Sequence, residues 1–369
     1  MKKHIALLIP GGIGTGSFSQ GIPIIQAFVD QLKLKYEVTI FSLHPVNVDF
    51  KPKGYHLIAP QRLQRIPQQI RWVQSKFSQR HKQQKIHLIQ VIWGFPGGIL
   101  GVLLKRRFKL PLIIHLQGGD ATAIPEIDYG VFRTSQVKKS LIKWTYQQAN
   151  ELVVLTQFQR NKLQEHFTKK TPSVIPFGID KTLFVPKEKP LKPPYQFLHL
   201  AHLNPVKSQT TLLEAFQKIS QKVDCKLTIV GGDTLGGALQ RHATQLGIAD
   251  RVTFSDIVPY QETLNYFHKA HLLLHTSLYE GQGLVVAEAM ACGVVVCGTK
   301  VGLIADLADE CTLASPIKDS EMLAQNVLKL LKNESQYQSL KAKGIAWSQQ
   351  HDMGWTMAQF EKLYQKYLR

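Results

Sequence analysis

Two glutamates flank a glycine-containing junction in the stretch SLYEGQGLVVAEAMACG, which begins at Ser277. The preceding HLLLHTS is typical of a buried strand, and the residues from Leu284 onward are typical of a helix. Backbone amides at a helix start bind phosphate or sugar oxygens, and a carboxylate accepts two hydrogen bonds from a vicinal diol. Glu280 and Glu288 therefore suit the two ends of a nucleotide sugar. In the alternative interpretation, Glu280 caps the helix and Glu288 pairs with a basic neighbour.

Short β-like runs alternate with helical runs on both sides of a proline- and lysine-rich segment, VPKEKPLKPPYQ, at residues 185–196. Strands that alternate with helices predict parallel, doubly wound α/β sheets, and the segment is typical of a linker between two of them. We therefore expect Rossmann-like domains at 1–185 and 186–350, and a terminal helix at 351–369 that crosses back to the first domain. The two sheets are expected to face each other across a cleft, a preferred place for ligands.

The stretch around the two glutamates resembles the signature of the family 4 glycosyltransferases, in which a serine and a glutamate–glycine pair precede an EAMA-like helix. Three further segments resemble family features: VIPFGID from Val174, HLNPVKSQTTLLEAF from His202 and RVTFSDIVP from Arg251. Their order and spacing extend the resemblance over nearly the whole chain. It implies the GT-B fold of two Rossmann-like domains, and a retaining transfer from a nucleotide sugar.

The resemblance assigns roles to residues of the second half. Glu288 would hold the ribose hydroxyl groups, and Glu280 the donor sugar at the reacting centre. Lys207 would neutralise the diphosphate of the departing nucleotide, although the alternative is a solvated loop lysine. The backbone near Val258 would contact the base. Sugar and diphosphate would also be held by the amides of four consecutive residues, Gly281, Gln282, Gly283 and Leu284.

Two predicted donor-binding positions depart from the family pattern. His202 stands where many members have an arginine, five residues before Lys207. A neutral imidazole cannot replace the forked guanidinium, so either Lys207 and the helix amides hold the diphosphate or another basic residue contributes. Gln282 stands where phenylalanine is common, and it adds a polar amide near the predicted sugar.

In the first half, the resemblance places a histidine or acidic residue that faces the donor sugar at the end of the strand PLIIHLQGG. His115 comes two residues before the usual position, which Gln117 occupies, but residues two apart on a strand share a face. His115 is either catalytic or a hydrogen-bonded core histidine, and Asp120 is the other catalytic candidate. The glycine-rich turn after the first strand loosely resembles the family's first loop, with donor contacts expected at Gly12, Gly14 and Gly16.

No metal or other cofactor is expected. The sequence has no DxD triplet and no His and Cys ligands at zinc spacing. Its four cysteines lack the spacing of a disulfide framework, so we interpret them as reduced core thiols of a cytoplasmic protein. Lys207 and helix dipoles would then stabilise the leaving group in place of a cation.

The positive charge is concentrated in the first half of the chain. Residues 1–185 contain 26 Lys and Arg against 9 Asp and Glu, a net charge of +17, and the rest adds only +2. A helical segment from Pro67 carries an apolar face within a basic rim, formed by Ile70, Val73 and Phe77 with Arg71, Lys76, Arg80 and Lys82. We expect the face to pack on the sheet and the rim to contact anionic lipid. A solvated basic surface is the alternative, and no motif supports nucleic-acid binding.

These observations predict a cytoplasmic, membrane-peripheral glycosyltransferase at the inner face of the cell membrane. No apolar run approaches the roughly 18 residues of a membrane-spanning helix. The enzyme would move a hexose from a nucleoside diphosphate sugar to a lipid-linked or cell-surface glycan acceptor and retain the anomeric configuration. Three rivals remain. A nucleotide-sugar epimerase of the same fold needs no acceptor, a catalytically silent glycan-binding or scaffold protein is favoured by the missing arginine, and a nucleic-acid binder is suggested only by the charge.

Overall fold

The computed structural model describes residues 2–15 and 21–368. The chain divides into two compact units, one formed by Met1–Phe177 with Met353–Arg369 and the other by Gly178–Asp352. The division lies between residues 177 and 178, earlier than the predicted boundary between residues 185 and 186. Each unit is built on its own parallel sheet.

The proline- and lysine-rich segment packs into the second unit, which explains the earlier boundary. The buried ring of Phe184 lies edge-on to Phe267 with a centroid distance of 5.9 Å. The Nζ atom of Lys189 donates a hydrogen bond of 3.0 Å to the carbonyl of Phe267. Because these side chains are anchored in the second unit, the segment does not behave as the predicted linker.

Within the described residues, the sheet of the first unit has seven parallel strands: β1 His4–Ile9, β2 Glu37–Ser42, β3 His56–Ile58, β4 Leu88–Ile92, β5 Leu112–His115, β6 Glu151–Val154 and β7 Ser173–Val174. Their order across the sheet is β3-β2-β1-β4-β5-β6-β7. The crossover helices are α1 Pro23–Lys35, α2 Ile66–Gln83, α3 Gly97–Phe108, α4 Gln136–Gln148 and α5 Gln157–Gln164. This is the predicted doubly wound architecture.

The strands of this sheet are short and apolar because helices cover both of its faces. All six residues of β1, HIALLI, are buried. On one face, Val73 and Phe77 of α2 join a core cluster that includes Ile142 of α4. The apolar face predicted for the segment from Pro67 therefore packs on the sheet.

The sheet of the second unit has six parallel strands in the described residues: β8 Tyr195–Leu200, β9 Cys225–Val230, β10 Val252–Ser255, β11 Leu272–His275, β12 Val295–Thr299 and β13 Thr312–Ser315. Their order is β10-β9-β8-β11-β12-β13. The helices are α6 Gln209–Ser220, α7 Ala238–Gln245, α8 Thr263–Lys269, α9 Leu284–Ala291, α10 Gly302–Asp306, α11 Ser320–Leu331 and α12 Glu334–Gln350. The strand order reverses between β8 and β11, and ligands of open α/β sheets bind at the carboxyl ends of strands at such a switch point.

The last helix, α13 at Met353–Gln365, belongs to the first unit, as predicted. The ring of Phe360 packs against Phe28 of α1 at a centroid distance of 5.1 Å. The hydroxyl of Tyr364 donates a hydrogen bond to the side-chain oxygen of Gln90 in β4. The C-terminal segment therefore completes one face of the first sheet.

All four cysteines are buried and unpaired, which agrees with their interpretation as core thiols. Over residues 2–15 and 21–368, no helix combines the length and the apolar character that crossing a membrane requires.

Candidate active site

The predicted residues of the second unit meet at the carboxyl ends of β8 and β11. Lys207 ends a short 3-10 helix, Pro205–Lys207, that follows β8, and Glu280 lies in the loop that follows β11. Hydrogen bonds to backbone carbonyls join these segments. The Leu278 amide donates to the carbonyl of Val206 at 2.8 Å, and the Thr276 hydroxyl donates to the carbonyl of Lys207 at 3.0 Å. The switch point thus brings together residues that are more than 70 positions apart in the chain.

The carboxylate of Glu280 is the centre of this site. Its Oε1 atom accepts hydrogen bonds from Lys207 Nζ at 2.5 Å, Ser277 Oγ at 2.7 Å and His275 Nε2 at 2.9 Å. Burial alone would raise the pKa of Glu280, but the Lys207 ammonium and the His275 hydrogen bond outweigh burial and lower that pKa. Glu280 is therefore a carboxylate at neutral pH, and it does not cap the helix as the alternative interpretation required.

Helix α9 begins directly after the glycine-containing loop. Gly283 adopts φ of +80°, a left-handed conformation that favours glycine, and the helix follows from Leu284. No side chain caps this helix start. The Val286 amide donates to the Gly283 carbonyl at 2.9 Å, so the amides of Leu284 and Val285 and the positive dipole end are what this helix start offers an anionic ligand. Gln282 is only 3% exposed, and its carbonyl accepts a hydrogen bond from the Leu303 amide at 2.7 Å, which anchors the loop.

Glu288 lies one turn inside α9 and is 6% exposed. The hydroxyl of Tyr260 donates a hydrogen bond to its Oε1 atom at 2.7 Å. Burial raises the pKa of Glu288 to about 7, although the Tyr260 hydrogen bond lowers it in part. Its partner is thus a tyrosine, and the alternative prediction of a basic partner is wrong. Tyr260 comes two residues after the half-buried Val258, so the predicted base-contacting loop leads directly to Glu288.

His202 lies just beyond the end of β8, with its side chain exposed. Its carbonyl accepts a hydrogen bond of 3.0 Å from the side chain of Gln209, the first residue of α6. Its Nδ1 atom would lie 3.3 Å from a Cβ atom placed at Gly232. The imidazole therefore lies beside the turn that follows β9, on the same edge of the sheet as Lys207.

Three side chains of this site were not among the predicted residues: His275, Ser277 and Tyr260. His275 ends the apolar strand β11, all four residues of which are buried. No sequence signal distinguishes His275 within that strand, whereas Ser277 is marked by its place in the family signature. For Tyr260 the signal was its distance of two residues from Val258.

In the first unit, the Asp120 side chain is buried and contacts backbone amides of two loops. Its carboxylate accepts hydrogen bonds from the amides of Gly94 at 2.9 Å, Gln117 at 3.0 Å and Gly118 at 2.7 Å. Burial raises its pKa, and the amides of Gly118, Gly94 and Gln117 oppose that change. The hydroxyl of Tyr146 donates to the Asp120 carbonyl at 2.6 Å. Both oxygens of the carboxylate therefore hold the loops after β4 and β5 together, and the catalytic role of Asp120 stays a prediction.

His115 lies in the core of the first unit rather than on an open face. The side chain is fully buried, and its ring is 5.0 Å from that of Phe177 and 5.1 Å from that of Phe360. Among the described residues, neither ring nitrogen has a hydrogen-bond partner. Burial lowers the pKa of His115 to about 3, so the ring is neutral. The structure therefore places His115 away from the exposed position that the predicted contact with a donor sugar requires.

The loop after β1 carries two of the three predicted glycines. Gly12 has φ of +97° and Gly14 has φ of +63°, and the carbonyl of Gly12 accepts a hydrogen bond from the Ile22 amide at 2.8 Å. A Cβ atom at Gly14 would lie 2.7 Å from the ring of Phe50. Both glycines are therefore required by the backbone of the loop itself. The third, Gly16, lies outside the described residues.

Across the described part of the chain, no group of three or more His, Cys, Asp or Glu side chains is arranged to hold a metal ion. The cationic group of the second unit's site is the ammonium of Lys207, at 2.5 Å from Glu280.

The two parallel-sheet α/β units define a Rossmann-like protein. In the second unit, a lysine–carboxylate pair lies beside a helix start at the switch point, an arrangement that suits a polar, anionic ligand. The model of the family described as glycosyl transferases group 1 matches residues 180–347. That of the glycosyl transferase 4-like domain matches residues 33–178. Together these two glycosyltransferase models match most of the chain, which is therefore a glycosyltransferase.

Individual relatives support this assignment. The chain is similar to N-acetyl-alpha-D-glucosaminyl L-malate synthase of Bacillus anthracis, with 24% identity over 310 residues that cover 80% of this chain and 78% of the relative. It is also similar to a GDP-mannose-dependent alpha-(1-6)-phosphatidylinositol monomannoside mannosyltransferase of Mycolicibacterium smegmatis, with 23% identity over 305 residues, or 75% of this chain and 76% of the relative. The solved structure of Anabaena HepE in complex with UDP and glucose matches at a TM-score of 0.77 and 18% identity, over 99% of this chain and all of that chain. The predicted GT-B fold is confirmed.

Proposed function

We propose that this glycosyltransferase moves a hexose from a nucleoside diphosphate sugar to a lipid-linked or cell-surface glycan acceptor and retains the anomeric configuration of the sugar. The observation that carries the proposal is the contact of Lys207 with Glu280 beside the start of α9, with Glu288 one turn further along that helix. Lys207 and the helix amides suit the diphosphate of a nucleotide sugar, and Glu280 and Glu288 suit the hydroxyl groups of its hexose and its ribose.

Lys207 is the residue that we expect to change partner when the donor binds. In the structure its ammonium contacts Glu280 at 2.5 Å, and both side chains are mostly buried, at 20% and 13% exposed. A diphosphate carries more negative charge than one carboxylate, so it attracts the ammonium more strongly. Glu280 then keeps the hydrogen bonds from Ser277 and His275 and can accept one from a hydroxyl group of the donor sugar.

The proposed transfer needs no protein nucleophile, metal ion or cofactor. The bond between the anomeric carbon and the diphosphate oxygen breaks, and the acceptor oxygen bonds to the same face of the sugar. The acceptor proton passes to the departing phosphate oxygen. Lys207 and the positive end of α9 stabilise the charge that develops on the diphosphate, and Glu280 orients the sugar. This front-face course is the one that the resemblance to family 4 implies.

The printed names of the similar proteins support the two substrate classes. HepE was solved with UDP and glucose, which supports a nucleoside diphosphate hexose as donor. The Mycolicibacterium smegmatis relative is named for a phosphatidylinositol monomannoside, which supports a lipid-linked acceptor.

The test is a transfer assay with the purified chain, radiolabelled UDP-, GDP- and ADP-hexoses, and a total lipid and glycan extract as acceptor. We expect one donor class to label the extract, and Glu280→Gln to reduce labelling at least about 100-fold in a variant that circular dichroism shows to be folded. Lys218→Ala, which removes a surface ion pair with Glu321 in the same unit, is the matched control and should label like the wild type. Isomerised donor without acceptor would indicate the epimerase instead, and labelling by Glu280→Gln at the wild-type rate would refute the site.

We also propose that the basic first unit contacts an anionic membrane at the cytoplasmic face. Leu63 and Ile66, at the entry to α2, are 70% and 62% exposed, and the exposed Arg62 and Arg65 alternate with them. Between Asp49 and Asp120 the sequence contains no acidic residue. Exposed apolar side chains among arginines suit the head-group region of an anionic bilayer.

Vesicle co-sedimentation tests this membrane contact. The purified chain should bind phosphatidylglycerol vesicles and not phosphatidylcholine vesicles, and binding should fall as salt is raised. Replacing both Leu63 and Ile66 by serine should weaken binding about tenfold or more. The control is Val48→Ser, an apolar residue that is 94% exposed in the same unit but lies next to Asp49. Equal binding by the double variant would contradict the proposed surface.

A further inference from the structure

The ring of His275 lies directly behind the carboxylate of Glu280. It is 1% exposed, and its Nε2 atom is 2.9 Å from Glu280 Oε1 and 3.1 Å from Ser277 Oγ. The signature that carries the family resemblance begins two residues later, so nothing in that resemblance assigns a role to this histidine.

The hydrogen-bond pattern places a proton on the Nε2 atom of His275. Glu280 is a carboxylate, whose oxygens only accept hydrogen bonds, so the close Nε2 atom must carry the proton and donate it. The Ser277 hydroxyl donates to the same oxygen, so it can only accept from His275. His275 therefore presents its Nε2–H group to Glu280, and Nδ1 is the ring nitrogen that takes no part in this contact.

That Nδ1 atom has no hydrogen-bond partner among the described residues, although it is buried. A buried polar atom without a partner lowers the stability of a fold, so an apolar side chain would suit this strand position better for packing alone. The ring instead stacks on His199 of β8, with a centroid distance of 6.1 Å and an interplanar angle of 27°. This arrangement indicates that His275 contributes through its Nε2–H group.

His199 is itself fixed, so it gives His275 a rigid support. Its Nδ1 atom donates to the carbonyl of Leu274 at 2.8 Å, and its Nε2 atom accepts from the side chain of Gln209 at 3.3 Å. Gln209, His199 and His275 form a layer that leads to Glu280, and these three residues are at most 2% exposed.

We infer that His275 is a positioning residue: its Nε2–H group anchors Oε1 of Glu280 and so directs the other carboxylate oxygen, Oε2, towards the hexose of the donor. Among the described residues, the three hydrogen bonds to this carboxylate all reach Oε1. When Lys207 turns to the diphosphate, His275 and Ser277 keep Oε1 in place. The inference rests on the proposed function of the site and adds to it the residue that orients the sugar-binding carboxylate.

The test compares two substitutions in the full chain. His275→Gln keeps a donor nitrogen at the same number of bonds from the backbone as Nε2, whereas His275→Leu fills the space without a donor. We expect His275→Leu to lower kcat about 10- to 100-fold, the effect of losing a hydrogen bond to a charged group. His275→Gln should recover most of this loss. The Kd for the nucleoside diphosphate alone, measured by calorimetry, should stay within about twofold in both variants, because that ligand lacks the hexose.

The matched control is His271→Leu. His271 immediately precedes β11 and is also buried, but it bonds to the Gln196 amide and the Pro190 carbonyl, far along the chain from Glu280. It should lower the melting temperature without a selective loss of kcat. A wild-type kcat in His275→Leu, or equal losses of kcat in His275→Leu and His275→Gln, would overturn the inference. The proposed function would still stand if the wild type transfers sugar in the transfer assay. A wild type that binds no nucleoside diphosphate and transfers no sugar would instead refute the proposed function itself.

Discussion

Glu288 has a pKa that burial raises to about 7, so its replacement by glutamine should change stability in a pH-dependent way. The carboxyl group is 6% exposed, and its hydrogen-bond partner is the hydroxyl of Tyr260. Glutamine keeps an oxygen that can accept this hydrogen bond, but it removes the cost of ionising a buried group. The substitution should therefore stabilise the protein at pH values where Glu288 is ionised.

The magnitude follows from the two pKa values. In the unfolded chain the pKa takes its ordinary value of 4.5, and in the folded protein it is about 7. The folded state thus holds its proton more tightly, and the free energy of unfolding falls as pH rises from about 4.5 to about 7. The full cost above this window is about 3 kcal/mol, of which about 1 kcal/mol is present at pH 5.

Urea unfolding of the wild type and Glu288→Gln at pH 5 and pH 8 measures this difference. The gain in unfolding free energy should be about 2 kcal/mol larger at pH 8 than at pH 5. The control Glu310→Gln replaces an exposed glutamate of the same unit, and its effect should stay within about 0.5 kcal/mol at both pH values. A gain in Glu288→Gln that does not depend on pH would refute the reasoning.

Three further predictions concern individual residues. His202→Arg should tighten nucleoside diphosphate binding about tenfold in calorimetry, because a guanidinium on the same sheet edge as Lys207 can form forked hydrogen bonds to phosphate. Unchanged affinity would show that this position does not contact the diphosphate. Gly283→Ala should lower the unfolding free energy by about 1–2 kcal/mol, since φ is +80° there, and a neutral effect in urea unfolding would contradict this. Asp120→Asn should destabilise the first unit by about 2–3 kcal/mol in urea unfolding, because the NH2 group of the asparagine would face backbone N–H donors. Loss of transfer in a fully stable variant would instead favour the predicted catalytic role.

The parallel-sheet architecture could be predicted from the sequence because each buried strand is a short apolar run, as in the fully buried β1. The domain boundary could not be predicted from the sequence. Prolines at residues 186–194 suggested a linker, but the packing of Phe184 on Phe267 and the hydrogen bond from Lys189 place this segment in the second unit. Local composition does not reveal contacts that form between residues about 80 positions apart.

In the candidate site, too, some residues could be predicted from the sequence and others could not. Glu280, Lys207 and the start of α9 come together as the motif spacing predicted, since two strands that meet at a switch point carry them. His275 could not be recognised inside an apolar strand, because its role depends on the carboxylate that folds back onto it. The strand β5 ends at His115, so Gln117 lies outside it, and Phe360 of the C-terminal helix packs against the His115 ring.

The central claim is that Lys207 belongs to a site for a nucleoside diphosphate, and calorimetry with UDP, GDP and ADP tests it most directly. One of the three should bind to the wild type, and Lys207→Ala should weaken that binding about 10- to 100-fold, the effect of losing a charged hydrogen bond to phosphate. The surface variant Lys218→Ala should bind like the wild type. Equal affinity in Lys207→Ala and the wild type, or no binding of any of the three nucleotides, would contradict the account.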